Sequence, residues 1–228
     1  MSVGNIPTNK QDNYMQMKFQ EAIVTYTEQP LNKQILLDML KEYKRPHDKI
    51  DELVKQQMLV QVKRGLYITG PKLNLTAPEP FLVANHLYGP SYVSLDTALS
   101  HWGLIPERVY EISSVTTNTS KIFKTAIGRF SYTYMTLPYY SFGIKQVILT
   151  KRQTVLMASP EKALCDKIIT TSGILLRSVK QSSVLLMEDF RIDQQMLRNL
   201  DVTAISSWLK DAPKANSLMI LVKTLKTL

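Results

Sequence analysis

Between Lys33 and Ile68 a compact helical pattern runs into a short basic hairpin, and this stretch restricts the fold more than any other. Ile35, Leu36, Met39 and Leu40 mark one amphipathic helix that stops near Tyr43. Pro46 opens the next, because a proline at the first helical position gives up only an N–H that would be unpaired there. Ile50, Leu53 and Val54 lie on one face of that helix. Met58 to Val62 then reads as a strand, Lys63 and Arg64 as its tip, and Gly65 to Ile68 as the return strand. An earlier helix is marked by Met15, Phe19, Ala22, Ile23 and Tyr26 on one face. Three helices followed by a hairpin with a cationic tip predict a winged helix-turn-helix, which makes double-stranded DNA the first partner to consider.

Charge points the same way. Lys and Arg outnumber Asp and Glu by 28 to 19, a formal net charge of +9 that favours polyanionic partners. Cys165 is the only cysteine, which excludes an intrachain disulfide and a cysteine-rich zinc site and fits a reducing compartment. Residues 2–12 are polar and lack the apolar core of a signal peptide. No apolar run approaches the roughly 18 residues of a membrane span. A cytoplasmic protein is expected.

The organisation reads as a polar leader over 1–13, a winged helix-turn-helix domain over 14–72 and a C-terminal domain over 78–228. A linker punctuated by Gly70, Pro71, Pro78 and Pro80 lies between the two domains. Past the linker, short helices are expected from Phe81 to Leu87 and from Ser94 to Trp102, the second with Ser94 as its N-cap. Residues 111–156 are rich in Val, Ile, Thr, Tyr and Phe in short runs and predict three to five antiparallel strands. Ser159 and Pro160 start a further helix, and the remainder reads as helical. The fold class expected is α+β: an N-terminal winged helix-turn-helix, then a mixed domain with an antiparallel sheet and C-terminal helices.

On this reading Lys44, Arg45, His47 and Lys49 would carry groove and phosphate contacts, Lys41 and Lys55 phosphate contacts, and Lys63 and Arg64 the wing. Asp48, Asp51 and Glu52 share the helix and must point away from phosphate. A second cationic face is suggested by Lys121, Lys124, Arg129, Lys145, Lys151 and Arg152, since no acid falls between Glu111 and Glu161. Tyr132, Tyr134, Tyr139 and Tyr140 interleave with them, either as strand residues of the core or as part of a docking face. For an enzyme the signals are poor. His47, His86 and His101 have no ligand-spaced partners. Ser94, Asp96 and His101 crowd a helix start, where capping explains the first two equally well. Cys165 sits among apolar helix positions. No glycine-rich phosphate loop or acidic two-metal set is present, and no cofactor is expected.

Four patches in succession resemble the AbiEi-type antitoxins, transcriptional regulators of type IV toxin–antitoxin systems that act in phage abortive infection. They are Arg64-Gly65-Leu66-Tyr67; Ser91-Tyr92-Val93-Ser94-Leu95 with Ala98-Leu99; Gly103-Leu104-Ile105-Pro106; and Pro160-Glu161-Lys162-Ala163-Leu164 with Asp166. Together they cover about residues 31 to 170. Gln57 departs from the pattern, standing where many members carry a glycine between helix and wing. The resemblance implies that the N-terminal domain binds inverted repeats in its own promoter and represses the operon. It also implies that the C-terminal domain is needed to counteract a co-encoded nucleotidyltransferase toxin, without a stable complex between the two. Tyr92 and Glu161 are expected to organise the second domain. The alternative is a transcription factor outside toxin–antitoxin systems whose C-terminal domain senses a ligand.

Overall fold

The computed structural model describes residues 8–107 and 109–228 and is an α+β protein. Its chain divides into two compact units, residues 1–83 with 151–153, and residues 84–150 with 154–228. Among the described residues no helix is long and apolar enough to cross a membrane.

The first unit begins with α1 (Thr8–Val24), so residues 8–13 are helical where their polarity reads as leader. Polarity alone does not oppose a helix, and Lys10 and Gln11 are good helix formers. Residues 1–7 of the expected leader lie outside the described residues. Next come β1 (Leu31–Asn32), α2 (Lys33–Met39) and α3 (Pro46–Lys55), then the hairpin of β2 (Leu59–Lys63) and β3 (Leu66–Thr69). The strands form an antiparallel sheet in the order β1-β3-β2. Phe19 and Ile23 of α1 pack with Leu36, Leu40, Ile50, Leu53, Met58, Leu59 and Tyr67 in one apolar core. Asn32 caps α2, its Oδ1 accepting from the Ile35 amide at 2.9 Å. At the far end of β3, Gly70 donates to the Met58 carbonyl at 2.8 Å. A Cβ there would stand 2.2 Å from the Gln57 carbonyl oxygen, so only glycine lets the hairpin close this tightly against the end of α3.

In the second unit a six-stranded sheet has the order β6-β7-β5-β4-β9-β8. The strands are β4 (Ser91–Val93), β5 (Ile112–Thr116), β6 (Lys121–Thr125), β7 (Gly128–Tyr134), β8 (Ile144–Thr150) and β9 (Gln153–Ala158). The sheet is mixed rather than antiparallel as the sequence suggests, for β4 pairs parallel with β9 and β5 parallel with β7. Leaving β5, the chain skips a place to lay down β6 at the edge, then returns as β7 in the gap. β4, only three residues long and buried throughout, fills a central position that no alternation announces.

The helices of this unit are α5 (Leu95–His101), α6 (Pro160–Thr170), α7 (Val179–Val184), α8 (Gln194–Arg198), α9 (Val202–Trp208) and α10 (Ala215–Leu225), after α4 (Pro80–Leu87). α7 runs on as a π-helical turn over Leu185–Asp189. Ser159 caps α6 from Pro160, its Oγ accepting from the Lys162 amide. The other end of α6 is closed from a distance. The Lys214 ammonium donates to the carbonyls of Ile168, Thr171 and Ile174 at 2.8–3.0 Å, a cation placed on the negative end of the helix.

Candidate nucleic-acid interface

α3 ends in a Schellman motif, the Met58 amide reaching the Leu53 carbonyl and the Gln57 amide the Val54 carbonyl at 3.0 Å each. Gln57 therefore adopts φ +59°, the left-handed backbone that glycine adopts without penalty. This is the position where the AbiEi pattern carries glycine.

The predicted contacts of α3 divide on inspection. Lys44, Arg45, His47 and Lys55 are exposed. Lys49 is not: its side chain keeps 12% of its surface and donates to Glu52 Oε1 at 2.9 Å, with the ammonium 5.2 Å from the Tyr43 ring. Gln56 takes the same carboxylate oxygen at 2.7 Å. Arg45 lies 3.7 Å from Asp48. Opposite the buried Ile50 and Leu53, helical spacing places Asp48, Glu52 and Lys55, with Asp51 beside them. The outward face of α3 therefore carries more acid than base and is not cationic.

The hairpin differs. Lys63 closes β2 opposite Leu66, after a register shift between Gln61 and Lys63, and Arg64 and Gly65 make the turn. Gly65 has φ +86°, and Arg64 is exposed. Residues 53–78 contain no acid. Deeper in the sheet, burial and then the charge of Asp51 hold the Tyr67 phenol above its ordinary range, and Gln61 approaches its hydroxyl at 3.5 Å.

The residues of the second basic face come from different parts of the fold. Lys121, Lys124 and Arg129 belong to β6 and β7 at one edge of the large sheet, whereas Lys145 lies on β8 at the other. Lys151 and Arg152 group with the first unit. Arg129 pairs with Glu111, and the Lys121 ammonium lies 5.0 Å from the Phe123 ring. The absence of acids along a segment says nothing about which edge of a sheet each lysine reaches. Of the interleaved tyrosines, Tyr132 and Tyr139 are buried, Tyr140 is half-buried and Tyr134 is exposed.

What the second unit assembles instead is a buried polar cluster. Lys162 and Asp166, one turn apart on α6, form an ion pair of 2.8 Å with both side chains fully buried. Asp166 Oδ2 accepts from the Tyr92 hydroxyl at 3.0 Å and from Ser94 Oγ at 2.8 Å. Lys162 also donates to the Tyr139 carbonyl at 3.1 Å, and its ammonium sits 3.4 Å from the Tyr139 ring centroid. Burial pushes the Lys162 ammonium below the ordinary lysine range, with Asp166 pulling it back. Burial, reinforced by Asp166, pushes the Tyr92 phenol well up. Two of the four patches quoted above thus meet at one carboxylate.

Ser94 precedes α5 but makes no capping bond with its side chain, because the hydroxyl is spent on Asp166. Asp96 binds Lys167 at 2.6 Å, so Ser94, Asp96 and His101 form no relay. Glu161 accepts from Ser159 Oγ and from the Asp201 amide, joining α6 to the start of α9. Burial raises the Cys165 thiol and lowers the His86 and His101 imidazoles. No group of three potential metal ligands occurs among the described residues. A cavity of about 530 Å³ opens between α5, α6 and Phe190, lined among others by Asp96, Leu99, Ile105, Glu111 and Lys167.

No family model matches the chain, and no curated protein matches it either. Among solved structures, it superposes with a TM-score of 0.61 on the crystal structure of the RV2827C protein from Mycobacterium tuberculosis. Identity is 16%, over 97% of this chain and 78% of that one, so the two share a fold.

Proposed function

We propose that this chain is a DNA-binding antitoxin of a type IV toxin–antitoxin system, acting in the cytosol without catalysis. It would repress its own operon at promoter inverted repeats and counteract a co-encoded nucleotidyltransferase toxin, with which it forms no stable complex. The observation that carries the DNA reading is the first unit itself: three helices, then an antiparallel hairpin whose turn presents Arg64 beside Lys63 in an acid-free stretch. That arrangement is read as a winged helix-turn-helix with α3 in the recognition position and the hairpin as wing. The toxin–antitoxin part rests on the four patches and on the cluster that Tyr92, Ser94, Lys162 and Asp166 make of two of them.

Fluorescence anisotropy on the upstream DNA and on a shuffled duplex, at low and physiological salt, tests the reading. Preference for the native sequence at physiological salt is expected; equal, salt-labile binding to both duplexes would remove the autoregulator. Reversing the charge at Lys63 and Arg64 is expected to weaken binding to all sequences and flatten its salt dependence. Unchanged affinity would sink the wing assignment. Co-expression with the neighbouring nucleotidyltransferase reads the antitoxin half through rescue of growth.

The cavity between α5 and α6 favours a second reading, a ligand-sensing transcription factor outside toxin–antitoxin systems. Its volume falls in the range of small-molecule sites, roughly 300–1,000 Å³. A metabolite that shifts operator affinity, with no nucleotidyltransferase gene nearby, would favour it.

A further inference from the structure

The cations of the first unit are distributed unevenly against its acids. α3 carries Lys49 and Lys55 against Asp48, Asp51 and Glu52. Residues 29–37 and 56–78 hold Lys33, Lys63, Arg64 and Lys72 with no acid at all. Pairing in the small sheet brings those two stretches together. Asn32 lies opposite Leu66 in the β1–β3 register, and the Lys33 amide donates to the Gly65 carbonyl at 3.0 Å. Lys33, about thirty residues upstream of the hairpin, thus has its backbone against the hairpin turn, and its side chain is exposed like that of Arg64.

We propose that Lys33 joins Lys63 and Arg64 in one phosphate-binding cluster at the hairpin turn, and that this cluster, rather than the outward face of α3, anchors the unit on the DNA backbone. The inference rests on the nucleic-acid reading above and adds to it a residue and a division of labour. Side chains, not amides, do the binding here. The Lys33 amide is committed to Gly65, and the Ile35 amide to Asn32 Oδ1. Lysine and arginine side chains extending from one turn can span neighbouring phosphates without a geometric match to any base, so their contribution is independent of sequence and sensitive to salt. The mixed charge of α3 leaves that helix the complementary task. His47 and the carboxylates of Asp48 and Asp51 suit donors and acceptors at base edges, where an Asp accepts from a cytosine amino group, better than they suit phosphate.

The test is the salt dependence of anisotropy on the upstream duplex for the full chain and for Lys33→Gln, Lys33→Arg and Lys18→Gln. Lys18 is an exposed lysine on α1, 3.2 Å from Glu42, and serves as control. Loss of one phosphate contact lowers the slope of log affinity against log salt by about 0.9. For Lys33→Gln the drop in affinity between about 50 and 200 mM salt is thus expected to shrink by about threefold. Lys33→Arg should keep the parent slope, as should Lys18→Gln, and Lys33→Gln should weaken native and shuffled duplexes alike. Binding by the parent with an unchanged slope in Lys33→Gln overturns this inference and leaves the DNA reading standing. Weakening confined to the native duplex also overturns it, by making Lys33 a base reader. A parent chain that binds neither duplex overturns both.

Discussion

Replacing Lys162 with methionine keeps an unbranched side chain, one atom shorter, and removes its charge, and the surroundings allow the consequence to be worked out. Asp166 would lose the ammonium at 2.8 Å and keep only the Tyr92 and Ser94 hydroxyls, in a site with no exposed surface. Breaking a buried pair from one side costs about 3–5 kcal/mol, because the remaining charge is stranded. Urea unfolding followed by tryptophan fluorescence measures it cleanly, since Trp102 and Trp208 both belong to the second unit. A loss under about 1 kcal/mol would refute the reasoning.

Other perturbations test the same physical reading elsewhere. Gln57→Gly removes a left-handed glutamine, worth about 1–2 kcal/mol, against roughly 0.5–1 kcal/mol of added unfolded-state entropy. The first unit should become more stable by up to about 1 kcal/mol, and a clear loss in urea melts would contradict the cap geometry. Alkaline pH should destabilise the second unit. The phenols of Tyr92, Tyr132 and Tyr139 are raised chiefly by burial, and that of Tyr140 to about 12. Their unfolded counterparts ionise near pH 10, so the stability is fully present below that pH and is lost above it as the unfolded chain sheds protons first. The lowered Lys162 works in the opposite direction and is outnumbered. Tyrosinate absorbance during titration checks this: these four phenols should ionise late and with unfolding, and smooth early ionisation of all eleven would count against it.

How much of this was legible in the sequence follows from the range of the interactions involved. α3 and its hairpin were readable because Pro46, the apolar spacing of Ile50, Leu53 and Val54, and Gly65 act within a few residues of where they stand. β4 was not, since three buried residues carry no period, and neither was its parallel pairing with β9, whose partners Val93 and Met157 are distant in the chain. Ser94 shows how a correct local signal is overridden. A serine before a helix ordinarily caps it, but here a carboxylate 72 residues downstream has the stronger claim on its hydroxyl. The candidate interface obeys the same division. Charge read along the chain places Lys49 among the DNA contacts, whereas folding closes it onto Glu52 and Tyr43. It passes over Lys33, which only strand pairing carries to the hairpin turn. A lysine count sets how strongly a protein attracts a polyanion, whereas the fold decides which lysines are left to meet it. In this chain the two answers differ at the helix that the sequence nominates for recognition, so a charge-reversal scan should find its largest sequence-independent losses at the hairpin turn and not along α3.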